Sequence, residues 1–144
     1  MRCHMKKICI IYWSCGGAVE TLAKEMKKTA ESLGESVLMK NVQDAEMVDV
    51  SDAEVIVLGS PSMNDGMIEQ YDMEPFVDNL KNLKNKDKQV ILYGTCAFSE
   101  DDFLDVWEKR LTDYGFNVVG KIAIKDSGSE EEIRMCRNII GENC

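Results

Sequence analysis

Apolar positions along the chain fall into two kinds of pattern. The first is the unbroken run, beginning with Ile8-Cys9-Ile10-Ile11-Tyr12. A continuous β-branched run of this length predicts a strand buried on both faces. Val55 to Leu58, Gln89 to Tyr93, and Val118 to Ile124 with Gly120 inside it predict three more, and Ser36 to Met39 a shorter one. The second pattern is the helical stripe. Val19, Leu22, Ala23, Met26, Ala30 and Leu33 form one, with Lys24, Glu25, Lys27, Lys28 and Glu31 opposite and Gly34 as its C-cap. Phe76, Val77, Leu80 and Leu83 form another, entered near Glu74-Pro75 with proline in the first turn. Phe103, Leu104, Trp107, Leu111 and Tyr114 form a third, opened by the capping box Ser99-Glu100-Asp101-Asp102 and closed at Gly115. Ser129 to Glu132 caps a last helix with Ile133, Cys136, Ile139 and Ile140 inward. Val42 to Glu54 is acidic and weakly patterned, enough for one helical turn.

Strands that alternate with helices over short connections predict a parallel sheet covered on both faces. The 144 residues fit one such domain, taken as 6–144, with 1–5 as an N-terminal extension. Ligands of these sheets bind beyond the carboxyl ends of the strands, at the topological switch point. Three loops gather there: Ser14–Val19, Ser60–Met73 and Thr95–Asp102.

The first of these loops carries the clearest chemistry. A strand breaks into Ser14-Cys15-Gly16-Gly17 and a helix follows at once. Small residues let the backbone approach a ligand, and the helix start presents amides and a positive dipole end to an anion. A phosphate pocket is the expectation.

Composition narrows the partners. The formal charge is −9, which argues against nucleic acid and anionic membrane surfaces and suits basic protein partners. There is no apolar run of spanning length and no signal peptide, so the cytoplasm is the expected compartment. The six cysteines include no Cys-x-x-Cys pair and read as free thiols, with Cys9 and Cys136 facing the core. His4 is the one histidine, which leaves a metal site or histidine triad little to draw on.

Tyr12-Trp13-Ser14-x-x-Gly17-x-x-Glu20, Leu58-Gly59-Ser60-Pro61-Ser62-Met63, Glu74-Pro75-Phe76 and Tyr93-Gly94-Thr95 occur in that order. With Trp107-Glu108-Lys109-Arg110 and Gly115, the set resembles the short-chain flavodoxins of anaerobic bacteria from Lys6 onward. The resemblance implies a flavodoxin-like α/β fold, a five-stranded parallel sheet of order 2-1-3-4-5 with helices on both faces. It implies a monomeric, low-potential electron carrier rather than an enzyme, passing electrons on non-covalent FMN between basic-faced redox proteins. By position, Ser14, Cys15, Gly16, Gly17, Ala18 and Val19 would cradle the FMN phosphate. Ser60, Pro61, Ser62, Met63 and Asn64 would border the ring, with the Met63–Asn64 peptide near N5. Thr95, Cys96, Ala97, Phe98 and Asp102 would border its other side, Phe98 standing where the family often stacks tryptophan or tyrosine.

The chain departs from the family pattern at its phosphate loop. Gly16, Ala18 and Val19 stand where a threonine, an asparagine and a threonine are usual, so two hydroxyl donors are missing. At roughly 1.5–3 kcal/mol each, that loss weakens binding by about two to four decades. Ser14 and main-chain amides remain. At the ring, Asn64 replaces a glycine whose peptide rotates toward reduced N5; asparagine tolerates the left-handed region, so rotation is retained but less favoured. Asp65, Glu69, Asp72 and Glu74 predict an acidic loop that opposes negative charge on the reduced ring. Cys15 and Cys96 read as small-residue slots at one sheet edge, with redox pairing as the alternative.

Two other functions stay open on the sequence: an FMN-dependent reductase, and a flavodoxin-like binding module with weak or no FMN. Two related sheets are disfavoured. A phosphoreceiver needs acids where Ser14-Cys15 and Ser60 stand, and a low-molecular-weight phosphatase needs arginine where Thr21 stands.

Overall fold

The computed structural model describes residues 6–13, 17–61, 68–95, 102–124 and 129–143, the side chains at 18, 102, 103 and 143 excepted. Five parallel strands form one sheet: β1 (Lys7–Tyr12), β2 (Ser36–Asn41), β3 (Val55–Pro61), β4 (Gln89–Thr95) and β5 (Asn117–Ile124). Their order is β2-β1-β3-β4-β5, the order the resemblance implies. The helices are α1 (Ala18–Ser32), α2 (Met47–Ser51), α3 (Met73–Leu80), α4 (Asp102–Tyr114) and α5 (Glu130–Asn143).

Alternation along each central strand sends side chains to two separate cores. Ile8, Ile10, Val55, Val57 and Ile91 pack with Leu22, Ala23, Met26, Cys136 and Ile140 beneath α1 and α5. Cys9, Ile11, Ile56, Leu58 and Leu92 pack on the other face with Val50, Val77, Leu80, Trp107 and Leu111. Both faces of β1, β3 and β4 are thus closed, which is why those strands read as unbroken apolar runs. Burial pushes the Cys9 and Cys136 thiols up to about 12, so both stay protonated and behave as small hydrophobes. β5 carries an extra residue, Val119, where its register against Val90 and Ile91 shifts. Gly120 follows it, and a Cβ there would overlap the Ile139 side chain.

α1 and α4 end in the same way. Glu35 N–H donates to the Ala30 carbonyl and Gly34 N–H to Glu31, with Gly34 at φ +89°. Phe116 and Gly115 repeat this on Leu111 and Thr112, with Gly115 at φ +108°. Both are Schellman closures, for which glycine supplies the left-handed residue.

Three expectations need correction. Leu33 is the C-cap of α1 and 39% exposed, because the Schellman turn carries it off the buried stripe. Leu83 lies beyond the end of α3, packed at the margin of the core. Val42 to Glu54 is more ordered than expected: a 3-10 turn (Val42–Asp44) leads into α2. Local side-chain bonds organise it, with the Asn41 side chain accepting from Gln43 N–H and the Asp49 carboxylate from Glu46 N–H. Lys88, 5% exposed, closes the far end by donating to the Ser51 and Ala53 carbonyls. Burial lowers its pKa.

Candidate functional site

The carboxyl ends of β1, β3 and β4 converge with the first turns of α1 and α4 at one edge of the sheet. Strand order reverses between β1 and β3, which makes this edge the topological switch point. Trp13 extends β1 past its last paired residue: its N–H donates to the Gly59 carbonyl, 3.0 Å.

The first turn of α1 is open. Gly17 is its N-cap in extended conformation, φ −144°, and as a glycine it has no side chain with which to cap the helix. A Cβ placed on Gly17 would meet nothing within 4 Å. Thr21 N–H is the amide that reaches back to the Gly17 carbonyl, so the amides of residues 18–20 have no intrahelical acceptor. A fifteen-residue helix whose leading amides have no intrahelical acceptor fits a phosphate ester. The donors are main-chain ones. Val19, 4% exposed, turns its side chain into the core beneath α1, so what it offers a ligand is its amide.

This turn is braced from the sheet below. Tyr12, Gly59 and Tyr93 are cross-strand partners in β1, β3 and β4. The Tyr12 hydroxyl donates to Glu20 Oε1 (3.1 Å) and the Tyr93 hydroxyl to the Val19 carbonyl (2.8 Å). Tyr93 is fully buried, and burial holds its hydroxyl well above the usual phenol range. Tyr12 is raised as well, by burial and then by the Glu20 bond.

The stems of the 61–68 loop are held differently. Ser60 and Glu69 are both buried, at 0% and 1% exposure. Ser60 Oγ accepts the Glu69 N–H (3.0 Å) and donates to the Pro61 carbonyl (2.9 Å). The Glu69 carboxylate accepts three amides at 2.8 Å: Tyr71 on Oε2, Asp72 and Met73 on Oε1. Asp72 is the N-cap of α3, and the Glu69 carboxylate closes the turn that leads into it, reaching the first helical amide at Met73. Asp72 in turn accepts from Trp13 Nε1 (3.3 Å) and Gln43 Nε2 (3.1 Å). Glu74 takes Arg110 Nη1 at 2.6 Å, and Arg110 Nε donates to the Tyr114 hydroxyl. That pairing holds the Arg110 guanidinium above its ordinary range. The expected acidic loop therefore splits: Glu69 is an internal cap, Glu74 is ion-paired, and Asp65 lies outside the described residues.

Of the residues expected at the site, the structure gathers Gly17, Ala18, Val19, Ser60, Pro61, Thr95 and Asp102 along this edge, as ends of β3 and β4 or starts of α1 and α4. Ser14, Cys15, Gly16, Ser62, Met63, Asn64, Cys96, Ala97 and Phe98 lie outside the described residues. Sequence reasoning missed Glu69 and Tyr93. A glutamate a few residues before a helix with proline in its first turn is the signal that could have found the cap; nothing in an apolar β-run marks the hydroxyl of Tyr93.

A doubly wound parallel sheet of this order, with its switch point between β1 and β3, defines an α/β protein whose ligand edge is the carboxyl end of the strands. The sequence matches the flavodoxin family over residues 10–139. It is 32% identical to the flavodoxin of Megasphaera elsdenii over 81% of this chain and 85% of that one. Against the flavodoxin of Clostridium beijerinckii it is 28% identical, covering 88% and 91%. The solution structure of two-electron reduced Megasphaera elsdenii flavodoxin superposes with a TM-score of 0.84, at 28% identity, over 94% of this chain and 98% of that one. This chain belongs to the flavodoxin family, whose members bind FMN and serve as electron carriers to redox partner proteins.

Proposed function

We propose that this chain carries electrons on FMN held at the carboxyl edge, with the phosphate against residues 14–19. The ring lies between residues 60–64 and 95–98, with Asp102 beside it. One observation carries the reading: the fifteen-residue helix α1 begins at the switch point behind a glycine N-cap, which brings its leading main-chain amides to the ligand edge of the sheet. When bound, FMN supplies reversible one-electron chemistry. The chain's own residues do the rest. The amides of the α1 turn and the Ser14 hydroxyl bind the phosphate. Ser60 and Glu69, by tying the loop stems together, set where Met63 and Asn64 meet the ring. Phe98 would border the other side of the ring, where the family often stacks a tryptophan or tyrosine.

Partners in this reading are basic-faced redox proteins, and the working form is a monomer. Asp44 and Glu46 are exposed at this edge, Asp72 lies beside them, and Tyr71 is 87% exposed among them, a surface suited to lysine and arginine. The compartment is the cytoplasm, a reading supported by the free thiols Cys9 and Cys136. Among the described residues no helix is long and apolar enough to cross a membrane. The test is a visible spectrum after incubation with FMN and desalting. One flavin retained per chain is expected. A folded protein that stays colourless and gives no calorimetric heat with FMN overturns the reading.

A further inference from the structure

We propose that Tyr93 is a positioning residue for the phosphate end of the cofactor, acting through the main chain of α1. The inference rests on the FMN reading above. Its starting point is a gap in the sheet. Tyr93 on β4 and Tyr12 on β1 flank Gly59 on β3, in one row across the sheet. A Cβ on Gly59 would overlap the Tyr93 ring, so the glycine is what lets that ring lean over β3. The lean takes the hydroxyl beneath the first turn of α1, where it donates to the Val19 carbonyl at 2.8 Å.

That carbonyl is well chosen. It belongs to the peptide whose N–H is that of Glu20, the third residue of the helix and one of the leading amides without an intrahelical acceptor. Within an α-helix carbonyls point toward the carboxyl end and amides toward the amino end. The bond therefore runs Tyr93 O–H to Val19 O=C, and through the same peptide to an N–H aimed at the phosphate. A donor on the carbonyl polarises the peptide and strengthens its N–H as a donor. It also fixes the turn in space, in a site 0% exposed where no water can replace the hydroxyl. The carbonyl has a second lone pair for its ordinary helical partner, so the brace costs the helix nothing.

The brace matters here because side chains of the turn itself add little to the phosphate site. Its N-cap is a glycine, and Gly16, Ala18 and Val19 bring no hydroxyl. A phosphate held by main-chain amides depends on where the main chain is held, and Tyr93 holds it from the core side.

The variant is Tyr93→Phe, which keeps the ring and removes the hydroxyl. Binding of FMN and of riboflavin, which lacks the phosphate, is measured on wild type and variant, with the thermal midpoint of each apoprotein as a check on folding. FMN affinity is expected to fall about three- to tenfold while riboflavin affinity changes less than about twofold. The 31P resonance of bound FMN is expected to move. Equal losses for both flavins, or an unchanged FMN affinity, overturn the proposal, as does an unmoved 31P resonance. If the wild type binds no FMN, it is the functional reading that has failed, and the outcome is distinct.

Discussion

Two of the helices that begin at this edge of the sheet, α1 and α3, meet the same physical problem in opposite ways. Each start leaves amides without helical acceptors. At α3 the chain answers with its own anion: the buried Glu69 carboxylate takes three amides and completes the turn. At α1 the N-cap is a glycine with no side chain to offer, and the turn is steadied from below, by Tyr93 on the Val19 carbonyl and Tyr12 on the Glu20 carboxylate. A helix start that supplies its own negative charge is structural. In the reading proposed above, the start braced from below takes its negative charge from the FMN phosphate. The contrast separates scaffold from site where both are made of glycines, serines and acids.

The sharpest way to break the contrast is to remove the internal anion. Glu69→Ala leaves three amides, that of Met73 buried, without their acceptor and opens a cavity beside Ser60. We expect a loss of about 3 kcal/mol or more in chemical denaturation of the apoprotein. A loss below about 1 kcal/mol would mean that water or neighbouring groups take over the cap, and the distinction between the two starts would fall with it.

The converse experiment gives α1 an anion of its own. Gly17 has an extended φ and space for a Cβ, so Gly17→Asp introduces a cap without strain. Apoprotein stability is expected to rise by about 0.5–1 kcal/mol. FMN affinity is expected to fall by about tenfold or more, since a carboxylate then competes with the phosphate for the same amides. Calorimetry on wild type and variant checks both. A variant that binds FMN as tightly as wild type would show that the phosphate does not sit on this turn.

A third change acts at the other end of the same helix. Gly34 closes α1 with φ +89°, far from the site, and Gly34→Ala forces a side chain into the left-handed region. We expect a loss of about 1 kcal/mol in stability with FMN affinity per folded molecule unchanged. If affinity fell as well, general loosening of α1 would account for the effects assigned to its first turn.

How much of this was legible before the structure follows from what a sequence displays. Strands such as Ile8 to Tyr12 were legible because burial on both faces leaves an unbroken apolar run. The α1 stripe was legible because one face is buried and the other is not. The segment 42–54 was not, because it is ordered by local bonds from Asn41, Asp49 and Lys88, which leave no periodicity. Glu69 and Glu74 were read as loop charges. Sequence displays a charge but not its partners, and here one meets three amides and the other an arginine. The helix start at 17–19 was visible from its small residues, whereas the brace that makes it serviceable depends on a tyrosine, a glycine and a carbonyl from three elements.

The smallest effect concerns a third helix start, and it places α2 between the other two. Asp49 sits in the first turn of α2 and its carboxylate accepts the Glu46 N–H at 2.8 Å, so this start too has an internal anion. That anion lies near the surface, at 11% side-chain exposure, and shares its Oδ2 with Lys40 Nζ at 3.0 Å. The Glu46 amide, and after it Lys40, holds the carboxyl below the ordinary aspartate value. A folded-state pKa below the unfolded one gives stability that is complete above the unfolded value, near 4, and is lost as pH falls through the folded one. Wild type should therefore exceed Asp49→Asn by a few tenths of a kcal/mol at neutral pH, with the gap closing as the solution is taken below about pH 4. Denaturant midpoints across that range measure it. A gap that persists in acid would locate the effect in packing rather than charge. A gap that closes in acid would instead set α2 apart from α1, whose first-turn Glu20 takes the Tyr12 hydroxyl and whose leading amides we propose are met by the FMN phosphate.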